Sequence, residues 1–337
     1  MEQRKVMALG KSSLVVSMPK PWLNMNKISQ GDLVSLIVQQ NGSLVIYPSP
    51  DVKEEIREIH LCVEVDESED SIVRRIIGSF LDGYTTIKLT SEKIFSDGQQ
   101  KAIRHIVGTL YMMIVKSEAS GIVLQTLIDE SKASVSSGIE RMHIITHSMC
   151  RDILRSMRDW DMDLAKSVVS LEDDVDQLMF ILSRLIRRAA ISPSLANQLG
   201  LDPLDCLDYQ AIVNRIERIA DHNTSIANSL IELIEMRSET PENVLAILTK
   251  AAEMAFDSYD EAIQGFFSKD VSKTNEIIDM EKEIVELYGE ITPLPLFGEP
   301  FETSVLSNIV TIRESIVKIS HHAADIAEIT IDRAYRL

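Results

Sequence analysis

Two stretches of this chain match one another 100 residues apart, and that match limits the fold more than any other feature. Arg215–Leu230 (RIERIADHNTSIANSL) aligns with Ser315–Thr330 (SIVKISHHAADIAEIT) through Ile219/Ile319, His222/His322 and Ile226–Ala227/Ile326–Ala327. Upstream of each, Leu171–Met179 (LEDDVDQLM) lies over Met280–Tyr288 (MEKEIVELY). All four stretches carry helical periodicity. Leu164, Val168, Leu171, Val175, Leu178, Leu182 and Leu185 advance by fours and threes, the spacing of an apolar seam between packed helices. Six helices are expected, over 135–158, 162–190, 203–236, 241–268, 272–291 and 301–336. The Pro/Gly-rich SPSLANQLGLDP and TPLPLFGEP break the chain before the third helix of each half. The pattern predicts two tandem three-helix bundles, over 134–238 and 241–337.

The front of the chain is different. Residues 1–50 alternate short apolar runs with turn signals at Gly31–Asp32 and Asn41–Gly42, which predicts four short strands around one helical turn. So small a unit buries too little apolar surface to stand alone and should pair with a second copy. Residues 53–130 read as a small α/β domain of strand, helix, strand, helix and a closing hairpin, serving as a linker or dimerising spacer. Asp129–Gly138 (DESKASVSSG) is the joint to the helical body.

Charge is unevenly distributed. The whole chain carries -18, yet residues 1–27 carry a net +4 from Arg4, Lys5, Lys11, Lys20 and Lys27 against Glu2, leaving -22 on the rest. A body this acidic repels nucleic acid, so any such contact must be local to the head. No apolar run reaches the ~20 residues of a membrane span, and no apolar signal core opens the chain, which places it in the cytoplasm without membrane insertion. Cys62, Cys150 and Cys206 form no CxxC pair, which argues against a disulfide framework or zinc ribbon. No Walker loop, HExxH, GxSxG or GxGxxG before a helix is present, and a non-enzyme is expected.

Two clusters could hold metal. Glu172 and Asp176 lie four apart on a flank of the second helix, and Glu217 and Asp221 do the same on the third. If those helices are antiparallel neighbours, four carboxylates converge, and a hard or borderline cation would relieve their repulsion. The competing reading is a solvated helix face neutralised by Arg215, Arg218 or Arg184. In the second bundle the equivalents are Glu281, Val285, Val317 and His321, so a second cluster of this kind is not expected. His143, His147 and Cys150 share a helical face at i, i+4 and i+7, a set that suits zinc or copper, although partly buried, hydrogen-bonded histidines are the reading favoured here.

Arg4–Pro48, with its Gly-Lys-Ser turn, MPKPW, GD turn and NGSLVIYP, resembles the SpoVT–AbrB family. That resemblance implies a swapped-hairpin β-barrel homodimer binding DNA through Arg4, Lys5, Lys11 and Lys20. Some members of that family are instead partner-binding antitoxin modules. From about Ser134 onward, IERIADH and LEDDVDQL resemble the PhoU family of phosphate-uptake regulators, and the whole arrangement resembles the archaeal ones. That resemblance implies a multinuclear metal site of iron, zinc, manganese or magnesium on Glu172, Asp176, Glu217 and Asp221. The fold expected is thus multidomain and mainly α: an AbrB-like head, a small α/β domain and two PhoU-like bundles. The function implied is DNA-binding regulation of phosphate uptake. The alternative is an adaptor for a phosphate ABC transporter ATPase or a signalling kinase, with the head used only to dimerise.

Overall fold

The computed structural model describes residues 2–39, 42–48, 57–236, 242–290 and 302–336. The chain divides into two units, Met1–Ile56 and Arg57–Leu337.

In the first unit, β1 (Met7–Leu9) pairs antiparallel with β2 (Ser13–Val15), and Gly10 takes the left-handed turn between them at φ 71°. A short helix, α1 (Lys20–Met25), starts behind Pro19. A second hairpin joins β3 (Ser35–Val38) to β4 (Leu44–Tyr47), with Ser35 opposite Tyr47. Gly42 is at φ 76° in its turn, while Asn41 of the expected Asn-Gly turn lies outside the described residues. Among the described residues, the two hairpins form separate two-stranded sheets. No described residue of this unit is buried, and Leu9, Leu14, Leu36 and Val38 are exposed. Among its described residues the head therefore lacks a core of its own.

The second unit begins with β5 (Glu58–Val63), α2 (Glu69–Leu81), β6 (Thr86–Ser91), α3 (Asp97–Thr109), β7 (Met112–Glu118) and β8 (Gly121–Thr126). The strands run in the order β5-β6-β8-β7, with β5 and β6 parallel and the other pairs antiparallel. Both helices start on a serine cap, Ser68 and Ser96, the latter in a capping box with Gln99. Ile72, Ile76, Phe80, Ile103 and Val107 bury their side chains in one cluster with Ile87, Leu89 and Leu124.

The helical body comprises α4 (Val135–Asp159), α5 (Met162–Ile191), α6 (Pro193–Leu199), α7 (Pro203–Glu235), α8 (Glu242–Ser268), α9 (Val271–Glu290) and α10 (Thr303–Ala334). The short α6 was not expected, since its segment reads as a break. Ser192 caps its start, Pro193 fits the first turn, and Gly200 closes it at φ 69°, so the breaking residues bracket a two-turn helix. The second break, 292–300, lies outside the described residues. α4 approaches α5 closely: a Cβ on Gly138 would lie 2.4 Å from Leu182 Cδ2.

One continuous core runs through both bundles, from Ile139, Val168 and Ile216 to Phe256, Ile263, Ile316 and Ile326. α7 and α10 pack antiparallel about the repeat-equivalent His222 and His322, whose rings stack with centroids 5.8 Å apart. Arg215 pairs with Asp325 at 2.8 Å on one side of that point, and Glu232 accepts from Asn308 Nδ2 at 2.8 Å on the other. Contact between equivalent residues at the centre of an antiparallel pair is the mark of an internal two-fold relation.

The α/β layer is fastened to the body by Arg184 of α5. That side chain is fully buried and donates to Glu130 Oε1 at 2.8 Å and to the carbonyls of Phe80 and Tyr84, with its guanidinium 4.8 Å over the Phe80 ring. Arg188 also reaches Glu130, and Arg187 reaches Asp82. No described helix is long and apolar enough to cross a membrane.

Candidate metal and nucleic-acid sites

The acidic residues of α5 and α7 share one flank. The two helices pack together, and Gln210 Nε2 donates to Ser183 Oγ at 3.1 Å. Stepping seven residues from that bond in opposite directions sets Asp176 beside Glu217, and four more set Glu172 beside Asp221. The electrostatics agree with that register. Burial, then Asp221, raises the Asp176 carboxyl to about 6. Burial, then Asp221, raises Glu217 to about 7. Burial raises Glu172, with Asp176 and Asp221 adding to it. Burial first, and neighbouring carboxylates second, thus disfavour the charged forms of Glu172, Asp176 and Glu217, a condition that a bound cation relieves.

Of the three arginines that could neutralise this cluster, only Arg218 does so. It pairs with Asp221 at 3.2 Å and lies 3.6 Å from Glu217. Arg215 is engaged with Asp325 and Arg184 with Glu130. Sequence spacing alone could not separate these cases, because the partners lie in another bundle and another layer. In the second bundle the corresponding register brings His321 Nε2 to 3.2 Å from Glu281 Oε1 and sets Val285 at the level of Val317.

The histidine face of α4 divides. Cys150 turns into the core, where Asn223 Nδ2 donates to its sulfur at 3.2 Å and burial pushes the thiol up to about 12. His143 and His147 turn instead to Asp260 of α8. Asp260 Oδ1 lies 3.1 Å from His143 Nε2 and 3.0 Å from His147 Nδ1. Both histidines are thus partly buried, His143 hydrogen-bonded to Asp260 and His147 within ion-pair distance of it, and burial lowers the His143 pKa. The sequence carried no signal for Asp260, which joins the face only because α8 lies against α4. Among the described residues, this is the one group of three or more His, Cys, Asp or Glu side chains whose ligand atoms all fall within 4.8 Å of one another.

On the head, Lys5, Lys11 and Lys20 are exposed and make no ion pair with a described residue, whereas Arg4 pairs with Glu2. Lys11 sits in the β1–β2 turn and Lys20 opens α1.

Paired three-helix bundles with one carboxylate-rich flank define the class of the body: an all-helical double-bundle scaffold. The PhoU domain family matches residues 139–230 and 248–330, more than half of the chain, and the chain belongs to that family. Residues 7–54 match a second family, the antidote-toxin recognition domain of MazE, a bacterial antitoxin. The chain is 22% identical over 211 residues to the phosphate-specific transport system accessory protein PhoU homolog 2 of Thermotoga maritima, covering 62% of this chain and 87% of that one. It is 23% identical over 203 residues to the PhoU homolog of Zymomonas mobilis, covering 59% and 83%. The crystal structure of PhoU from Pseudomonas aeruginosa superposes with a TM-score of 0.52 at 21% identity, over 58% of this chain and 93% of that one, a likeness of fold.

Proposed function

We propose that this protein is a DNA-binding regulator of phosphate uptake. The carrying observation is the joining, in one chain, of a PhoU body to a MazE-like head. The head concentrates net positive charge on an otherwise acidic molecule. Its hairpins expose Leu9, Leu14, Leu36 and Val38, apolar surface that a second copy would cover. A homodimer of heads doubles the local charge to about +8 and presents two equivalent readers to a two-fold operator. Arg4, Lys5, Lys11 and Lys20 are the residues assigned to DNA, and Arg4 must exchange Glu2 for a phosphate to take part.

In the same reading, Glu172, Asp176, Glu217 and Asp221 hold a multinuclear cluster of iron, zinc, manganese or magnesium on the first bundle. The raised carboxyls of Glu172, Asp176 and Glu217, shifted by burial and then by their acidic neighbours, support this assignment. The Glu281–His321 pair and the Val285/Val317 level of the second bundle favour no matching cluster there. The body senses phosphate status through metal, ligand or partner and biases the head. The test compares operator binding by the full chain from phosphate-rich and phosphate-starved cells. A difference in affinity supports coupling, and identical affinities refute it.

A second reading is favoured by the names of the relatives, which are transport-system accessory proteins. Here the body contacts a phosphate transporter ATPase or a signalling kinase and the head only dimerises. Co-purification with the ATPase, together with no salt-dependent DNA shift, would establish it.

A further inference from the structure

We propose that His143, His147 and Asp260 form a site for a single divalent transition-metal ion that clips the first helices of the two bundles together. The site is separate from the carboxylate flank of α5 and α7, and it uses nitrogen donors that the flank lacks.

His143 and His147 are one turn apart on α4, so both rings leave the same helix face. Each places a ring nitrogen near the same atom, Asp260 Oδ1, at 3.1 and 3.0 Å, and all three ligand atoms lie within 4.8 Å of one another. Donors bound to zinc at about 2.0–2.2 Å stand roughly 3.0–3.5 Å apart in octahedral or tetrahedral geometry, so the pairs are already at ligand spacing. The rings are inclined by 71° rather than stacked, with centroids 5.7 Å apart. The carboxylate is held from behind: Gln264 Nε2 donates to Asp260 Oδ2 at 2.7 Å, an outer hydrogen bond of the kind that orients metal ligands. His147 and Asp260 retain 33% and 27% side-chain exposure, so an ion could enter from solvent and keep water on its remaining positions.

The chemistry selects the ion. Two imidazoles and one carboxylate suit Zn²⁺ or Fe²⁺ and disfavour Mg²⁺ or Ca²⁺, which prefer oxygen. Because the ligands come from α4 and α8, occupancy would tie the bundles across their shared core.

The test uses the full chain, stripped with chelator and titrated with Zn²⁺. A background variant, Glu172→Gln/Asp176→Asn/Glu217→Gln/Asp221→Asn, silences the carboxylate flank. In that background one Zn²⁺ per chain is expected, with imidazole scattering at the zinc X-ray absorption edge and a Tm that rises with Zn²⁺ concentration. Adding His147→Gln, or separately Asp260→Ala, should abolish that equivalent while the Tm in chelator shows each variant folded. Zinc stoichiometry that survives both changes overturns the proposal, as does a folded background variant that binds no Zn²⁺. Neither result bears on DNA binding, so the regulator reading stands or falls separately.

Discussion

Replacing Asp176 with Asn should stabilise the metal-free protein at neutral pH and destabilise the metal-loaded one. Asp176 is held at about 6, against an ordinary 3.8, first by burial and then by Asp221. A displacement of about two pH units corresponds to roughly 3 kcal/mol. The carboxyl is only partly buried, and solvent screening reduces this to about 1.5 kcal/mol. The sign follows from proton binding. Between pH 3.8 and about 6 the folded state holds a proton that the unfolded state lacks, so stability falls as pH rises through that window. Above about 6 the full penalty is present, and Asn removes it. In chelator at pH 7.5, D176N should unfold about 3–6 °C above the parent. At pH 5 the gap should shrink, because the parent's carboxyl is then mostly protonated in the folded state. Comparing parent with variant cancels the opposing histidine contributions. With Mn²⁺ or Fe²⁺ in excess the order should reverse, since the variant lacks one of the four proposed ligands. Thermal melts monitored by circular dichroism at both pH values, with and without metal, provide the readout. An Asn variant less stable than the parent in chelator at pH 7.5 would refute the idea that burial and Asp221 make the charged Asp176 carboxylate a burden on the fold.

Two further outcomes follow from contacts elsewhere. Among the described residues, Arg184→Met leaves Glu130 with only Arg188, removes the donor to the Tyr84 carbonyl and leaves the Phe80 carbonyl with Gly83 N–H alone, a loss of about 3–5 kcal/mol for a broken buried pair. Amide exchange should then accelerate in α2 and around Glu130 while α7 and α10 stay protected. Uniform acceleration throughout the body would contradict a local role. His222 is held down at about 4 by burial and by His322, so its contribution to stability is complete above pH 6.5 and is lost as pH falls toward 4. His222→Phe keeps a ring against His322 and should flatten that acid limb by about 1.5 kcal/mol after discounting for exposure. An unchanged acid limb by urea titration would place the sensitivity elsewhere.

The helices of the body were legible because steps of three and four persist along each of them, and the repeat alone sets His222 and His322 at equivalent positions. The carboxylate flank was legible for the same reason: Glu172, Asp176, Glu217 and Asp221 are spaced by local helix geometry. What was not legible depends on which helix lies beside which. Asp260 is more than 100 residues from His143, and nothing in its local sequence marks it as the partner of a histidine pair. Cys150 shares a helical face with those histidines on a wheel, yet lies far enough round it to enter the core beside Asn223. Arg184 reads as an ordinary charge near the seam, and only the docking of the α/β layer explains why it is fully buried. α6 was missed because Ser, Pro and Gly both end helices and bracket short ones.

DNA binding by the head is the central claim, and the direct measurement is a salt titration. Full-length protein is titrated against its own upstream DNA and a scrambled control, beside Lys11→Glu/Lys20→Glu. Both lysines are exposed, make no ion pair with a described residue and lie outside any core, so the variant should fold normally. The account predicts selective binding that weakens steeply as salt rises, and its loss in the variant, because each phosphate contact releases counterions. The contrary result is no selective binding at low salt by a protein that is still dimeric. It would leave the head as a dimerisation device and the body as an adaptor for protein partners.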